Sequence, residues 1–422
     1  MAPTPATKSP QVEPAGQRSV RAWSRGRAPA PDGQSIDRRF LLAAGLALLG
    51  GCTGSPLLGP FDGGVQVIDP STAREVVVVG DVDSTMGIFD PSLVYFLDAP
   101  SGLMSYSSVP SQLDVHTHLA SSSDRGATWT FLAEVNAPSD VMVSFDGGDP
   151  DCPTGTCAGR VIHEVSSLVD DSLDPDHRYK IFAHTYVAFP EPGGNPPHLR
   201  PDVGYLSLYT APATGGPWVE TKLVGWQSPS SFSSTDTALL LGRDLPALGD
   251  CLALTEPAAI LDGASLALAV TCAYPLQGQP AFRQELLRSY DHAQSFVRVG
   301  TLMTSGDAAA LGSPGGVNAA DLFSAGGLTF AIVSPGGQVS APDLPSFSGY
   351  AGCDVLTVDL ADASVLRDGT APVLFRRLVA ANDTFSGACT YAEGASSAGY
   401  LMSILGAPPR LFRIYATGLP AP

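Results

Sequence analysis

Ser122-Ser123-Asp124-Arg125-Gly126-Ala127-Thr128-Trp129 is the stretch from which the fold can be read. An aspartate two residues after a serine accepts backbone N–H groups across a tight hairpin turn. Gly126 supplies the positive φ that such a turn needs. The hydroxyls of Ser122 and Thr128 tie the turn to itself, and Trp129 fills space between neighbouring sheets. A decayed copy, Ser289-Tyr290-Asp291-His292-Ala293-Gln294-Ser295-Phe296, keeps the order but has Ala293 for the glycine and Ser295-Phe296 for Thr-Trp. Two copies in one chain point to an internal repeat.

Around these turns runs a longer rhythm, in which an acidic residue opens a strand-like apolar run and a later hairpin closes the unit. The openings are Phe89–Val94, His163–Val169, Thr255–Leu261, Asn318–Phe323 and Tyr391–Gly394. The closings are the first turn, Tyr205–Thr221, the second turn, Asp354–Gly369 and Leu411–Gly418, which makes five units. The run Ala73–Val79 is left over and is expected to pair with the last unit, closing a ring without open edges. Charged residues are only 15% of the 422, against 45 Gly and 37 Pro, a mix that suits short strands joined by turns. The first turn resembles the Asp-box of sialidases and related β-propellers, a motif that is structural and lies away from the active site. The expected fold is all-β, a five-bladed propeller over residues 70–418. A six-bladed, sialidase-like ring, with one blade inside 300–350, is the alternative.

In a propeller the innermost strand of each blade lines the central channel. The register of the openings then places Asp90, Glu164, Glu256, Asp321 and Glu393 near one mouth. Crowded carboxylates repel, and some retain their protons. Glycoside hydrolysis requires one protonated carboxyl as acid and one ionised carboxylate. The phrases Ser207-Leu208-Tyr209-Thr210, Gly216-Pro217-Trp218 and Tyr179–Tyr186 also resemble five-bladed glycosidases. That resemblance implies Asp90 as general base, Glu256 as general acid, Glu164 as the tuner of their pKa, and inversion of configuration. Those families usually carry Asp at the tuner position. Asp321, Glu393, His184 and Tyr186 are expected to contact a carbohydrate or surface glycan. The alternative is a non-catalytic surface propeller binding glycans or proteins, with aromatic platforms in place of a carboxyl pair. A third reading is a scaffold whose channel is plugged by apolar side chains. Sialidases hold a substrate carboxylate with three arginines. Here Arg74 is the only arginine between Cys52 and the first turn, and its context does not match. Arg160, Arg200, Arg243 and Arg413 are not singled out.

Residues 1–37 show no apolar period and read as disorder, or as a leader ahead of a later true start. Arg38-Arg39 then precede the uncharged run Phe40–Leu49 and Gly50-Gly51-Cys52. This is a signal-peptide layout, and the run is short for a membrane span. Leu49-Gly50-Gly51-Cys52 resembles the bacterial lipobox, which implies lipidation of Cys52, a tether over 52–69 and attachment to the membrane through the lipid alone. Arg38-Arg39 also resembles a twin-arginine signal, with its spacing one residue short. Six cysteines remain, Cys152, Cys157, Cys251, Cys272, Cys353 and Cys389, and an even count in an exported chain suggests disulfides. Sequential pairing is the simplest of the fifteen connectivities. Residues 1–51 hold seven of the 23 basic and three of the 41 acidic groups, so the remainder is strongly acidic and repels phosphate backbones; nucleic acid is not an expected partner. His116 and His118 share a strand face as metal ligands do, but an edge-strand polar pair is the expectation. Asp146–Asp151 is read as a disulfide-pinned surface loop. No cofactor or metal is expected, and there is no P-loop, dinucleotide fingerprint or GxSxG elbow.

Overall fold

The computed structural model describes residues 64–95, 100–111, 113–190, 197–225, 230–232, 237–276, 279–313, 316–336, 350–381, 386–392, 398–403 and 412–419. The chain divides after Leu57, and every described residue belongs to the second unit. Cys52, its leader and Glu393 lie outside the described residues.

The fold is an all-β propeller. Five sheets of four or more strands follow one another along the chain, numbered I to V here. Their inner strands are Ile88–Tyr95, Thr156–Asp170, Ala253–Asp262, Val317–Ala325 and Ser386–Thr390. Each inner strand packs against the next, and the last packs against the first, so the contacts close a ring. In sheet II the strand Asp140–Ser144 also pairs with the start of the inner strand, on the side away from Tyr179–Phe189. No sixth sheet of more than two strands occurs among the described residues; 300–336 supplies the end of sheet III, a short helix and the first two strands of sheet IV.

Strands that converge on an axis leave little room, and the inner region is accordingly rich in small side chains. Ser hydroxyls there join one sheet to the next. Ser92 Oγ accepts the Leu168 N–H at 3.0 Å, Ser167 Oγ the Ala259 N–H at 2.8 Å, and Ser334 Oγ the Ala388 N–H at 2.8 Å. These bonds satisfy inner-strand N–H groups that no ladder partner reaches.

The two quoted turns join the third and fourth strands of sheets I and III and carry the same bonds. Ser122 Oγ accepts the Gly126 N–H at 2.8 Å, and Asp124 accepts from Thr128 N and Oγ1, both at 2.8 Å. Ser289 Oγ likewise accepts the Ala293 N–H at 2.8 Å, and Asp291 accepts from Ser295 N and Oγ1. Gly126 and Ala293 both have positive φ, 80° and 72°. Trp129 is fully buried. Arg74 donates to the carbonyls of Ala127 and Gly126, so this arginine braces the first turn. Lys180, buried in sheet II, donates to Asp171 and Asp174, and His292 of the second turn meets the same Asp171.

The start of the described chain closes the ring in three places. Val65–Ile68, read above as tether, is a parallel outer strand on sheet IV. Arg74–Glu75 pairs with Arg413–Leu419 of sheet V, and Val78–Val79 with Trp129 and Thr130 of sheet I. Three disulfides link Cys152–Cys157, Cys251–Cys272 and Cys353–Cys389, the last joining the third strand of sheet IV to the inner strand of sheet V. The Asp146–Asp151 loop is pinned by the first disulfide and by Arg200, which binds Asp149 and Asp151. Among the described residues no helix is long and apolar enough to cross a membrane.

Candidate active site

All five inner strands are interrupted at one and the same place. In each sheet two inner-strand residues face one residue of the second strand: Asp90-Pro91, Val165-Ser166, Glu256-Pro257, Ala319-Ala320 and Ala388-Cys389. Such a bulge needs no ladder N–H, which is why Pro91 and Pro257 are tolerated inside strands. Asp90, Glu256 and Ala388 have φ of 48°, 50° and 49°, a left-handed conformation that costs a non-glycine residue energy. Asp90 and Glu256 therefore occupy equivalent positions two sheets apart.

The other acids do not share that position, and this corrects the expected register. Glu164 stands one residue earlier, level with Phe89, Thr255, Asn318 and Gly387. Asp321 stands two residues past Ala319, where its carboxylate accepts from Thr390 Oγ1 and the Leu322 N–H. Sheet V presents Ala388 rather than an acid, because its inner strand is Ser386–Thr390 and ends before the opening expected at Tyr391–Gly394.

Asp90, Glu164 and Glu256 nevertheless form one electrostatic cluster. Asp90 and Glu256 are each 7% exposed, and Glu164 is partly exposed. Burial, followed by the charges of Glu256 and Glu164, holds Asp90 well above the ordinary carboxylate range. Burial and the charge of Glu256 push Glu164 up to about 8, opposed by a hydrogen bond from Tyr186. Asp321 is pushed up to about 7 by burial against its bonds to Thr390 and Leu322, with no contribution from the cluster.

Two tyrosines flank the carboxyls. Tyr186 donates to Glu164, and burial together with Glu164 and Glu256 keeps its phenol well above its usual value. Its ring lies 4.7 Å from that of His184. His184 is buried, its Nε2 meets the Pro201 carbonyl at 3.1 Å, and burial pushes its pKa down to about 4. The other is Tyr350, whose phenol feels Glu256, Asp90 and Glu164 beyond its own burial. Asn318 Nδ2 donates to the Tyr350 hydroxyl at 3.0 Å, and Thr255 Oγ1 donates to Asn318 Oδ1 at 3.2 Å. Tyr350 packs over Gly387, where an added Cβ would stand 2.6 Å from the tyrosine Cβ. Sequence reasoning missed Tyr350 and Asn318. The one available signal was the position of Asn318 in a unit opening, three residues ahead of Asp321.

The arginines are engaged elsewhere: Arg160 with Asp114 and Asp140, Arg200 with three aspartates, Arg243 with Asp244, and Arg413 with Glu75. The expectation that His116 and His118 form a polar surface pair is overturned. Their strand, Asp114–Ser122, is paired on both sides, and the residues are 4% and 0% exposed.

No family model matches the chain, and no curated protein matches it in sequence. Among solved structures it is similar to a family 117 glycoside hydrolase of the marine bacterium Zobellia galactanivorans, with 14% identity and a TM-score of 0.45 over 82% of this chain and 89% of that one. It is similar to the Bombyx mori GH32 β-fructofuranosidase at 13% identity and TM-score 0.44; 78% of this chain is covered, but only 59% of the silkworm enzyme. The Podospora anserina α-L-arabinofuranosidase, solved with cellotriose, gives 10% identity and a TM-score of 0.41 over 82% and 98%. Likenesses of this strength add nothing to the reading of the site.

Proposed function

We propose that this protein is an exported, carbohydrate-active, five-bladed propeller that hydrolyses glycosidic bonds. Glu256 serves as general acid, Asp90 as general base and Glu164 as the group that sets their protonation. One observation carries the reading: three carboxyls from three successive inner strands form one charge cluster in which Asp90 and Glu164 are both raised, and Asp90 and Glu256 sit at the same strained bulge. Crowding keeps protons in the cluster at neutral pH, which a general acid needs. Once Glu164 and Glu256 are neutral, the two charges that raise Asp90 are gone and burial alone still opposes the ionisation by which it would activate water. Inversion requires a gap of roughly 6.5–9.5 Å between acid and base to admit that water. Tyr350, which is half-buried, supplies ring surface for a sugar beside the carboxyls, while Tyr186 and His184, both buried, brace Glu164 from within rather than touch the sugar. The two serine–aspartate turns are read as Asp-boxes, and their role is structural. Attachment through a lipidated Cys52 to the outside of a bacterial membrane completes the proposal, with the three disulfides as its support.

The test is a hydrolysis screen on oligosaccharides and aryl glycosides, with the anomeric form of the first product followed by NMR. Glu256→Gln and Asp90→Asn are expected to lose at least about a hundredfold in kcat/KM on whichever glycan is cleaved. Undiminished hydrolysis by Glu256→Gln would remove the proposed acid. A retained anomer would replace inversion with a nucleophilic Asp90.

A further inference from the structure

His116 and His118 are alternate residues of the strand Asp114–Ser122, so their rings stand on one face of sheet I, with centroids 4.4 Å apart. Glu134 on the neighbouring strand pairs directly with His118. Each imidazole has its Nδ1 on a carboxylate at 3.1 Å, His116 on Glu134 and His118 on Asp81. Asp81 is held in turn by Ser84 Oγ and by the Tyr106 hydroxyl at 2.8 Å. The Nε2 atoms of both histidines are buried and have no hydrogen-bond partner. An imidazole that donates Nδ1–H to a carboxylate presents a bare Nε2 lone pair, the arrangement seen behind metal-ligating histidines. His118 is of this kind, with Asp81 behind it; in His116 it is Nδ1, 3.1 Å from Glu134 Oε1, that can share an ion with that carboxylate.

We propose that His116 through Nδ1, His118 through Nε2 and Glu134 through a carboxylate oxygen bind a divalent transition-metal ion, zinc foremost, within sheet I. The three residues each offer one ligand atom within 4.8 Å of the other two. Tetrahedral donors at about 2.0–2.2 Å from zinc stand about 3.4 Å apart, so the widest separation in the set must contract by up to about 1.4 Å. Glu134, whose side chain is 45% exposed, has the freedom to move in. Two nitrogens and a carboxylate oxygen suit zinc, cobalt or nickel and not calcium or magnesium. This site is separate from the carboxyl cluster of the proposed hydrolase and does not depend on that reading. Its role is to tie the third and fourth strands of sheet I together.

The test uses the whole chain, stripped with a chelator and titrated with Co2+, then with Zn2+. The expected result is one Co2+ per chain with the visible bands of four-coordinate cobalt, displaced by Zn2+, and a thermal midpoint raised by Zn2+ but not by Mg2+. Glu134→Gln, a change at a partly exposed side chain, is expected to weaken Co2+ affinity by about tenfold or more. His116→Gln should abolish the bands. Absence of both bands and zinc-dependent stabilisation would overturn the proposal. So would an undiminished affinity in Glu134→Gln.

Discussion

A carboxyl that keeps its proton in the folded state reports on folding as well as on catalysis. Glu164 is raised from 4.5 to about 8. In that window the unfolded chain binds fewer protons than the folded one, so stability is full below about pH 4.5 and falls as pH rises through 8. Glu164→Gln removes that loss. Its thermal midpoint is expected to exceed that of the parent by a few degrees at pH 8 and to match it at pH 4, as calorimetry at the two pH values will show. The same substitution removes a charge that raises Asp90, so the limbs of the kcat/KM profile should move to lower pH. Gly387 offers a second residue-scale test. A methyl group there displaces Tyr350, and overpacking of this kind costs about 1–3 kcal/mol. Gly387→Ala is expected to raise KM about tenfold while the carboxyl-dependent pH limbs stay in place, a split that steady-state kinetics can read.

At the scale of the element, the two serine–aspartate turns are a matched pair that differ at one strained position. Ala293 has φ of 72° where its counterpart Gly126 has 80°, and glycine adopts that conformation without the cost of a Cβ. Ala293→Gly is therefore expected to stabilise the protein by about 0.5–1 kcal/mol in denaturant unfolding. Asp124→Ala, which takes away both Thr128 bonds, is expected to lower the denaturant midpoint. The inner strands teach a different lesson. A bulge shifts the residues that follow it out of strict alternation, so a one-residue error in register changes which side chains meet. That is why Asp90 and Glu256, each followed by a proline at the bulge, share one position, while Glu164, with no proline after it, stands one residue earlier.

For the whole molecule, closure is the property at stake. Val65–Ile68, Arg74–Glu75 and Val78–Val79 cover the outer edges of sheets IV, V and I in turn. A chain starting at Gly80 leaves three edges open and is expected to aggregate and to unfold at a lower temperature, measured by light scattering and calorimetry. The Cys353–Cys389 bond closes a 36-residue separation between two sheets, and chain entropy assigns such a crosslink about 4 kcal/mol. The repeat, the turns and the all-strand character were legible in the sequence by itself, because each rests on local spacing: a hydroxyl two residues from a carboxylate, a Gly where φ is positive; an even set of cysteines announced disulfides but left fifteen pairings open. Tertiary structure alone decided that the N-terminal run serves three sheets, that His116 and His118 are buried, and that Tyr350 and Asn318 stand beside carboxyls from other sheets. Those outcomes depend on which strands neighbour one another across the ring and where each is bulged, and no local pattern carries that information.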